Sequence, residues 1–274
     1  MKLFDFNPNS NKPLLHLAHA NGFPPETYRR VVEPLLPHYH VVSLLARPLW
    51  GTTPPEWLKS WHQLADDLRV GLKELGAQEV VGVGHSLGGV MTLYAVIAEP
   101  ELFSHVVLID PTMLSPQLLW RFKLMKLVGL EARKFLIRGA LRRKRNWENA
   151  QEAYEFFRGR QLFKTWSDET VKAYTASMTA PSPEGGVYLI YPPEWEARIY
   201  KTIPTDIWKF ANKLTRPTLV IRGETSNTFT IDSEKAFRKA DPKAEIKVIP
   251  GAGHLVAQER PKEVGEWILK FLNG

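Results

Sequence analysis

The sequence predicts an α/β protein: a mostly parallel central sheet flanked by helices, with one helical cap inserted into it. Three observations carry this. Strand-like and helix-like stretches alternate over residues 1–110, the alternation stops over 111–214, and it resumes over 215–274. Such alternation builds a parallel sheet with helices on both faces, so the two flanks are expected to form one core.

In the first flank, Leu14–Leu17, His40–Leu45, Glu79–Val83 and His105–Ile109 are short β-branched or Leu-rich runs bounded by Gly, Pro or charge, as buried strands are. Glu26–Leu36 and Ser60–Leu75 between them have helical character, and the second opens on Ser60 as an N-cap and ends before Gly76. The insertion holds Trp120, Trp147, Trp166, Trp195 and Trp208. A linker is polar and poor in large apolar groups, so this stretch is expected to fold, as helices. The second flank contributes strands at Thr218–Ile221 and Glu245–Ile249. Its helices are Ile231–Lys239 and Pro261–Leu272, the latter with proline in its first turn.

The chain has 274 residues, 44% hydrophobic and 24% charged, which excludes collagen, coiled coil and wholesale disorder. With no cysteine there is no disulfide, zinc ribbon or thiol nucleophile. The lack of cysteine and of a secretory signal at the N-terminus fits a cytoplasmic protein. The uncharged run Val80–Ala98 is almost long enough to span a bilayer, but its four glycines, His85 and Ser86 fit a buried strand, tight turn and buried helix better.

The net charge of +7 is local. From Arg121 to Arg145 ten Lys/Arg face the single acid Glu131, which sets that stretch at +9 and the remainder at −2. Leu118, Leu119, Phe122 and Met125 recur there at helical spacing, as in an amphipathic lid helix over a site. The alternative is that Arg142-Arg143-Lys144-Arg145 draws an anionic partner, either a CoA-like acyl carrier or an anionic membrane surface. No nucleic-acid recognition motif accompanies the charge.

The chemistry is concentrated at Gly84-His85-Ser86-Leu87-Gly88, followed by Gly89, where an apolar strand runs into an apolar helix. A serine on so sharp a turn stands above the sheet edge, and only small neighbours let the chain approach itself. The helix behind it offers unpaired N–H groups to a developing oxyanion. A serine hydroxyl needs a base. His254, in Gly251-Ala252-Gly253-His254, lies between the last strand and the last helix, where that base belongs. His16, His19, His38, His40 and His105 flank strands and have structural character. His62 is expected on a helix surface, and His85 beside the turn it orients. His16 and His19, three apart on a strand, point to opposite faces and make a poor metal pair. After Gly82-Val83-Gly84 the next glycine comes one position too late for a dinucleotide fingerprint. No phosphate loop or metal-binding His-Glu-x-x-His occurs, so no cofactor and no metal are implied.

Together with His19-Ala20-Asn21-Gly22-Phe23-Pro24 after the first strand, these motifs resemble the α/β-hydrolase superfamily with a helical cap, along the whole chain. The His-Ala-Asn-Gly-Phe-Pro form is similar to a subgroup of esterases and acyl hydrolases that includes fungal peroxisomal acyl-CoA hydrolases and lipases. The resemblance implies an oxyanion hole made by the backbone N–H groups of Phe23 and Leu87. Enzymes of this kind that open epoxides or displace halide need an aspartate nucleophile, and position 86 is serine.

The third catalytic member departs from the pattern. Most such proteins carry an Asp in a run like Gly-Glu-x-Ser-Asp, and this chain has Gly223-Glu224-Thr225-Ser226-Asn227. Asp110 closes the strand His105–Ile109 at the sheet edge that carries Ser86, and the same subgroup places its acid there. Asp110 is therefore the expected acid, with Glu224 or no functional acid as the alternatives, and Asn227 is expected to keep a residual hydrogen-bonding part. Asp110-Pro111-Thr112 is also good turn chemistry without catalysis.

The expected activity is that of a serine hydrolase cleaving a carboxylic ester with an apolar acyl group through an acyl-enzyme, the insertion's aromatics lining the acyl pocket. An acyl-CoA thioesterase is the alternative, and a non-catalytic hydrolase-fold binder a second one. A small-molecule ester is the expected partner, and the oligomeric state stays open.

Overall fold

A computed structural model describes residues 2–127 and 133–274. Glu131, and the side chains of Lys123 and Lys126, lie outside the described residues. Among the described residues there are ten strands: β1 Leu3–Asp5, β2 Leu14–Ala18, β3 His40–Leu44, β4 Val80–His85, β5 Phe103–Ile109, β6 Asn146–Trp147, β7 Thr179–Pro181, β8 Val187–Leu189, β9 Thr218–Gly223 and β10 Glu245–Ile249. The helices run as α1 Arg29–Val32, α2 His62–Glu74, α3 Leu87–Ala98, α4 Pro116–Leu127, α5 Lys134–Leu141 and α6 Ala150–Arg158. They continue as α7 Asp168–Met178, α8 Pro193–Lys201, α9 Trp208–Ala211, α10 Ile231–Ala240, α11 Val256–Glu259 and α12 Pro261–Asn273.

Seven strands form the central sheet in the order β1-β3-β2-β4-β5-β9-β10, parallel throughout except for the edge strand β1. Residues alternate between its faces with the period of two that a strand imposes. Val106 and Leu108 of β5 and Val220 of β9 enter the core shared with α2 and α3, while Val107, Ile109, Leu219 and Ile221 enter the core beneath α1 and α12. Both faces are covered, which is why these strands read as continuous apolar runs. From β2 the chain first moves to β3 and then crosses back to β4 on the other side. The carboxyl ends of β2 and β4 therefore flank the switch point where open α/β sheets bind ligands.

Two local expectations are corrected. The single helix expected at 26–36 is broken into two 3₁₀ turns around the four-residue α1, because Pro34 lacks the N–H a continuous helix needs. β1 is an additional strand, at three residues too short to show a period. The insertion is not purely helical: Asn146–Trp147, Thr179–Pro181 and Val187–Leu189 pair antiparallel into a small sheet. The uncharged run Val80–Ala98 resolves into β4, the Ser86 turn and α3, and among the described residues no helix is long and apolar enough to cross a membrane.

Three buried histidines stitch the sheet edge to its loops. His16 Nε2 accepts from the Leu44 N–H (3.0 Å), and His19 Nε2 from the Ala46 N–H (3.1 Å). His85 Nδ1 accepts from the Tyr28 hydroxyl (2.8 Å). Each ring is neutral in this role, since an accepting nitrogen carries no proton. Burial above all lowers their pKa values, His16 and His85 to about 3 and His19 to about 4. The unfolded rings take up protons below about pH 6.5, and the folded ones do not until about pH 3–4. The stability they confer is thus complete above the unfolded value and is lost as pH falls through that window, by on the order of 4 kcal/mol per pH unit when all three contribute. Acid unfolding followed by circular dichroism is expected within the window with uptake of about three protons; uptake of less than one contradicts it.

Candidate active site

Ser86 sits between β4 and α3 at φ +56°, ψ −112°, a region in which an L-residue is strained by ~1–3 kcal/mol. Its neighbours hold it there. The Ser86 N–H donates to Ile109 O (3.0 Å), and Ser86 O accepts from the Thr112 N–H (3.1 Å). The glycines are required by close approach: a Cβ on Gly84 would lie 2.3 Å from Gly88 O, and one on Gly88 would lie 2.0 Å from Ala18 O. The turn is thereby pressed against the end of β2.

A line of hydrogen bonds runs from the hydroxyl into the interior. Asp110 is fully buried at the end of β5, and its Oδ1 accepts from His254 Nδ1 at 2.7 Å. A carboxylate only accepts, so Nδ1 carries the ring proton and Nε2 is left to accept from Ser86 Oγ at 2.9 Å. With the serine proton aimed at His254, the Thr112 hydroxyl donates to Ser86 Oγ at 3.1 Å. Asp110 accepts two more bonds, from Gly223 N–H to Oδ2 (2.9 Å) and from Ser226 Oγ to Oδ1 (2.6 Å). It too lies at positive φ, +37°, with its own N–H donating to Ile221 O (2.7 Å).

The structure thus brings Ser86, His254 and Asp110 together and leaves the other two acid-position candidates outside. Glu224 is exposed and its Oε2 accepts from the Gly251 N–H. Asn227 is exposed with its amide oxygen toward Thr228, so the hydrogen-bonding part expected of it falls to Ser226, one residue earlier. Ser226 Oγ also accepts from the N–H groups of Thr228 and Phe229, which fixes the direction of its proton toward Asp110. Ser226→Ala is expected to lower kcat about tenfold, the loss of one bond to a buried charge. An unchanged kcat in that variant would show that Asp110 needs only its other two donors.

The two expected oxyanion donors differ in state. Leu87 N–H, at the first position of α3, meets no acceptor among the described residues, as the first amides of a helix do. Phe23 N–H, by contrast, closes a turn onto Ala20 O at 3.2 Å, so it is engaged rather than free. Behind this turn runs a link that the motifs did not reveal. The Ala20 N–H donates to Tyr28 Oη (3.0 Å), Tyr28 donates to His85 Nδ1, and His85 Nε2–H donates to His254 O (3.1 Å). His85 thus ties the loop after β2 to the loop that carries His254.

The insertion supplies a second unforeseen group. Arg143 Nη1 donates to Glu196 Oε2 (2.6 Å) and Nη2 to Tyr174 Oη (3.0 Å). The same Nη1 lies 3.3 Å from where a Cβ on Gly22 would stand. Tyr191 donates to Asn21 Oδ1 (2.9 Å), and Asn21 Nδ2 to Glu196 O (3.3 Å). A buried polar cluster therefore rests on the 19–24 loop. Of the insertion's aromatics, Trp147, Phe157, Phe163, Trp166 and Tyr174 are buried against one another in a core that also takes in Leu255, the residue after His254. Phe23 also reaches them, tilted against Trp166 and Tyr174. Trp195 instead joins the core over α2 and α3.

The family model for the alpha/beta hydrolase family matches residues 17–267. The chain belongs to the alpha/beta hydrolase family. Among curated relatives of this α/β hydrolase, an abhydrolase domain-containing protein of Alternaria alternata is 24% identical over 70% of this chain and 84% of its own length. Epoxide hydrolase 3 of Xenopus tropicalis is 25% identical over 96% of this chain and 72% of its own. Among solved structures, E-2-(acetamidomethylene)succinate hydrolase superposes with a TM-score of 0.81 at 19% identity, covering 99% of this chain and 94% of that one. A peroxisomal alpha-beta-hydrolase of Saccharomyces cerevisiae gives 0.70 at 20% identity, covering 96% and 77%. At these identities the structural likeness concerns the fold alone, and the mostly parallel sheet flanked by helices is that fold.

Proposed function

We propose that this α/β hydrolase is a serine hydrolase that cleaves a carboxylic ester through an acyl-enzyme intermediate. The observation that carries the reading is the continuous line Ser86 Oγ, His254, Asp110, at 2.9 and 2.7 Å, with the serine on a strained turn at the sheet's ligand-binding edge. Ser86 Oγ attacks the ester carbonyl while His254 Nε2 takes its proton. Asp110 holds the ring in the tautomer that leaves Nε2 free and stabilises the imidazolium that forms. The carbonyl oxygen, now negative, is met by the Leu87 N–H and by the Phe23 N–H as it exchanges Ala20 O for the stronger acceptor. His254 returns the proton to the departing alcohol, leaving the acyl group on Ser86 Oγ; it then takes a proton from water as the water oxygen bonds to the acyl carbon, and passes that proton to Ser86 Oγ as the bond to the acid breaks.

Similarity to an epoxide hydrolase does not favour epoxide opening here, because a hydroxyl stands where that chemistry needs a carboxylate nucleophile. Segment 111–214 serves as the lid in this proposal: Ser86 is only 8% exposed, so an ester reaches it when the insertion shifts.

A fluorophosphonate probe tests the reading directly. Stoichiometric labelling located at Ser86 by peptide mass spectrometry, together with turnover of p-nitrophenyl butyrate, is the expected result. A folded protein that neither labels nor turns over would instead be a binder built on the hydrolase fold.

A further inference from the structure

We propose that the outward face of α5 and the residues just after it form a docking surface for an anionic lipid bilayer. Phe135 is 84% exposed, and Leu136 and Leu141 are exposed beside it. In a helix, Phe135, Arg138 and Arg142 share one row, with Lys134 and Leu141 flanking it, whereas Ala140 on the opposite side is buried where α5 packs on α8. Among the described residues none of Lys134, Arg138 and Arg142 has a carboxylate within 4.0 Å, although Arg143, Lys144 and Arg145 next to them are each paired. α4 has the same mixture, with exposed Trp120 and Leu124 about Arg121. Five of the twelve large apolar side chains exposed among the described residues fall in these two helices, four of them within the stretch that carries a net charge of +9 and the fifth, Trp120, directly before it.

Charge decides the occupant. A second copy would set one cationic face against another and is opposed by like-charge repulsion. Nucleic acid offers phosphates to the arginines but leaves Phe135 in water. An anionic bilayer matches both features, since its headgroups attract the cations and its interfacial region takes up the aromatic and leucine side chains. α5 also ends at the polar cluster on the 19–24 loop through Arg143, so a bilayer on this face lies beside the proposed site.

The test is flotation of the whole protein with vesicles of phosphatidylcholine, alone or with 30% phosphatidylglycerol. Binding to the anionic vesicles is expected to exceed binding to the neutral ones at least tenfold at low salt and to weaken as salt is raised. Arg138→Glu with Arg142→Glu is expected to remove that preference, and Phe135→Ser to weaken binding several-fold, both with turnover of a water-soluble ester unchanged. Equal binding to the two vesicle types, or none, overturns the proposal. So does a concentration-dependent dimer that Phe135→Ser dissolves, which would make this face a contact between copies.

Discussion

Ser86→Ala is expected to lower kcat for p-nitrophenyl esters by ~10⁶-fold, the scale on which loss of a serine nucleophile acts when its base and oxyanion donors remain. The fold should survive. Alanine meets the same steric conditions as serine at φ +56°, and the flanking Ile109 and Thr112 bonds come from the backbone. What is lost is the hydroxyl's contact with His254 and Thr112, a net stability effect of about 1 kcal/mol. The melting temperature should therefore move by only a few degrees while turnover and probe labelling disappear together. Turnover within tenfold of the parent would mean that another group attacks and that the serine mechanism is wrong.

What could be read from the sequence divides by the range of the interaction. Ser86 and His254 stand in runs whose own composition announces a tight turn at a strand end, so both were legible from a few neighbours. Asp110 was legible by position, as the residue closing a strand at the same sheet edge. Ser226 was not, because Asn227 occupies the familiar site in the run and only the fold shows which of the two adjacent side chains turns inward. Arg143 and Glu196 are 53 residues apart, and neither lies in a motif. In the charge pattern Arg143 was one cation among ten, and its place beside Gly22 depends on how α5 packs on α8. The tryptophans of segment 111–214 stand among helices and a small sheet, but composition does not distinguish an aromatic that lines a pocket from one that fills a core. The inner strands were legible because both faces of the sheet are buried there, which makes them apolar runs, whereas the short edge strand β1 and the break in the helix at 26–36 left no such mark.

Asp110→Asn, set beside Asn227→Asp, is expected to separate the two possible sources of the acid. The carboxylate of Asp110 accepts from three donors, Gly223 N–H, Ser226 Oγ and His254 Nδ1, with no exposure to water. An amide has one oxygen to offer them. Its NH₂ must then face a donor, and the relief is for His254 to move its proton to Nε2, where it can no longer accept from Ser86. The expected loss is ~10⁴-fold in kcat, the size seen when a serine-protease aspartate becomes asparagine, with ~1–3 kcal/mol of stability lost to the mismatched donors. Asn227→Asp should leave kcat within threefold, since an exposed side chain directed at Thr228 has no contact with His254. For the same reason the double variant should be as slow as Asp110→Asn alone. A double variant that recovers activity would show that the 226–230 loop can turn residue 227 inward, and near-parent kcat in Asp110→Asn would mean that His254 is oriented without a carboxylate. Because the loss comes from tautomer as well as charge, Asp110→Glu, whose longer arm must displace Ser226 or Gly223, should fall between the two in kcat.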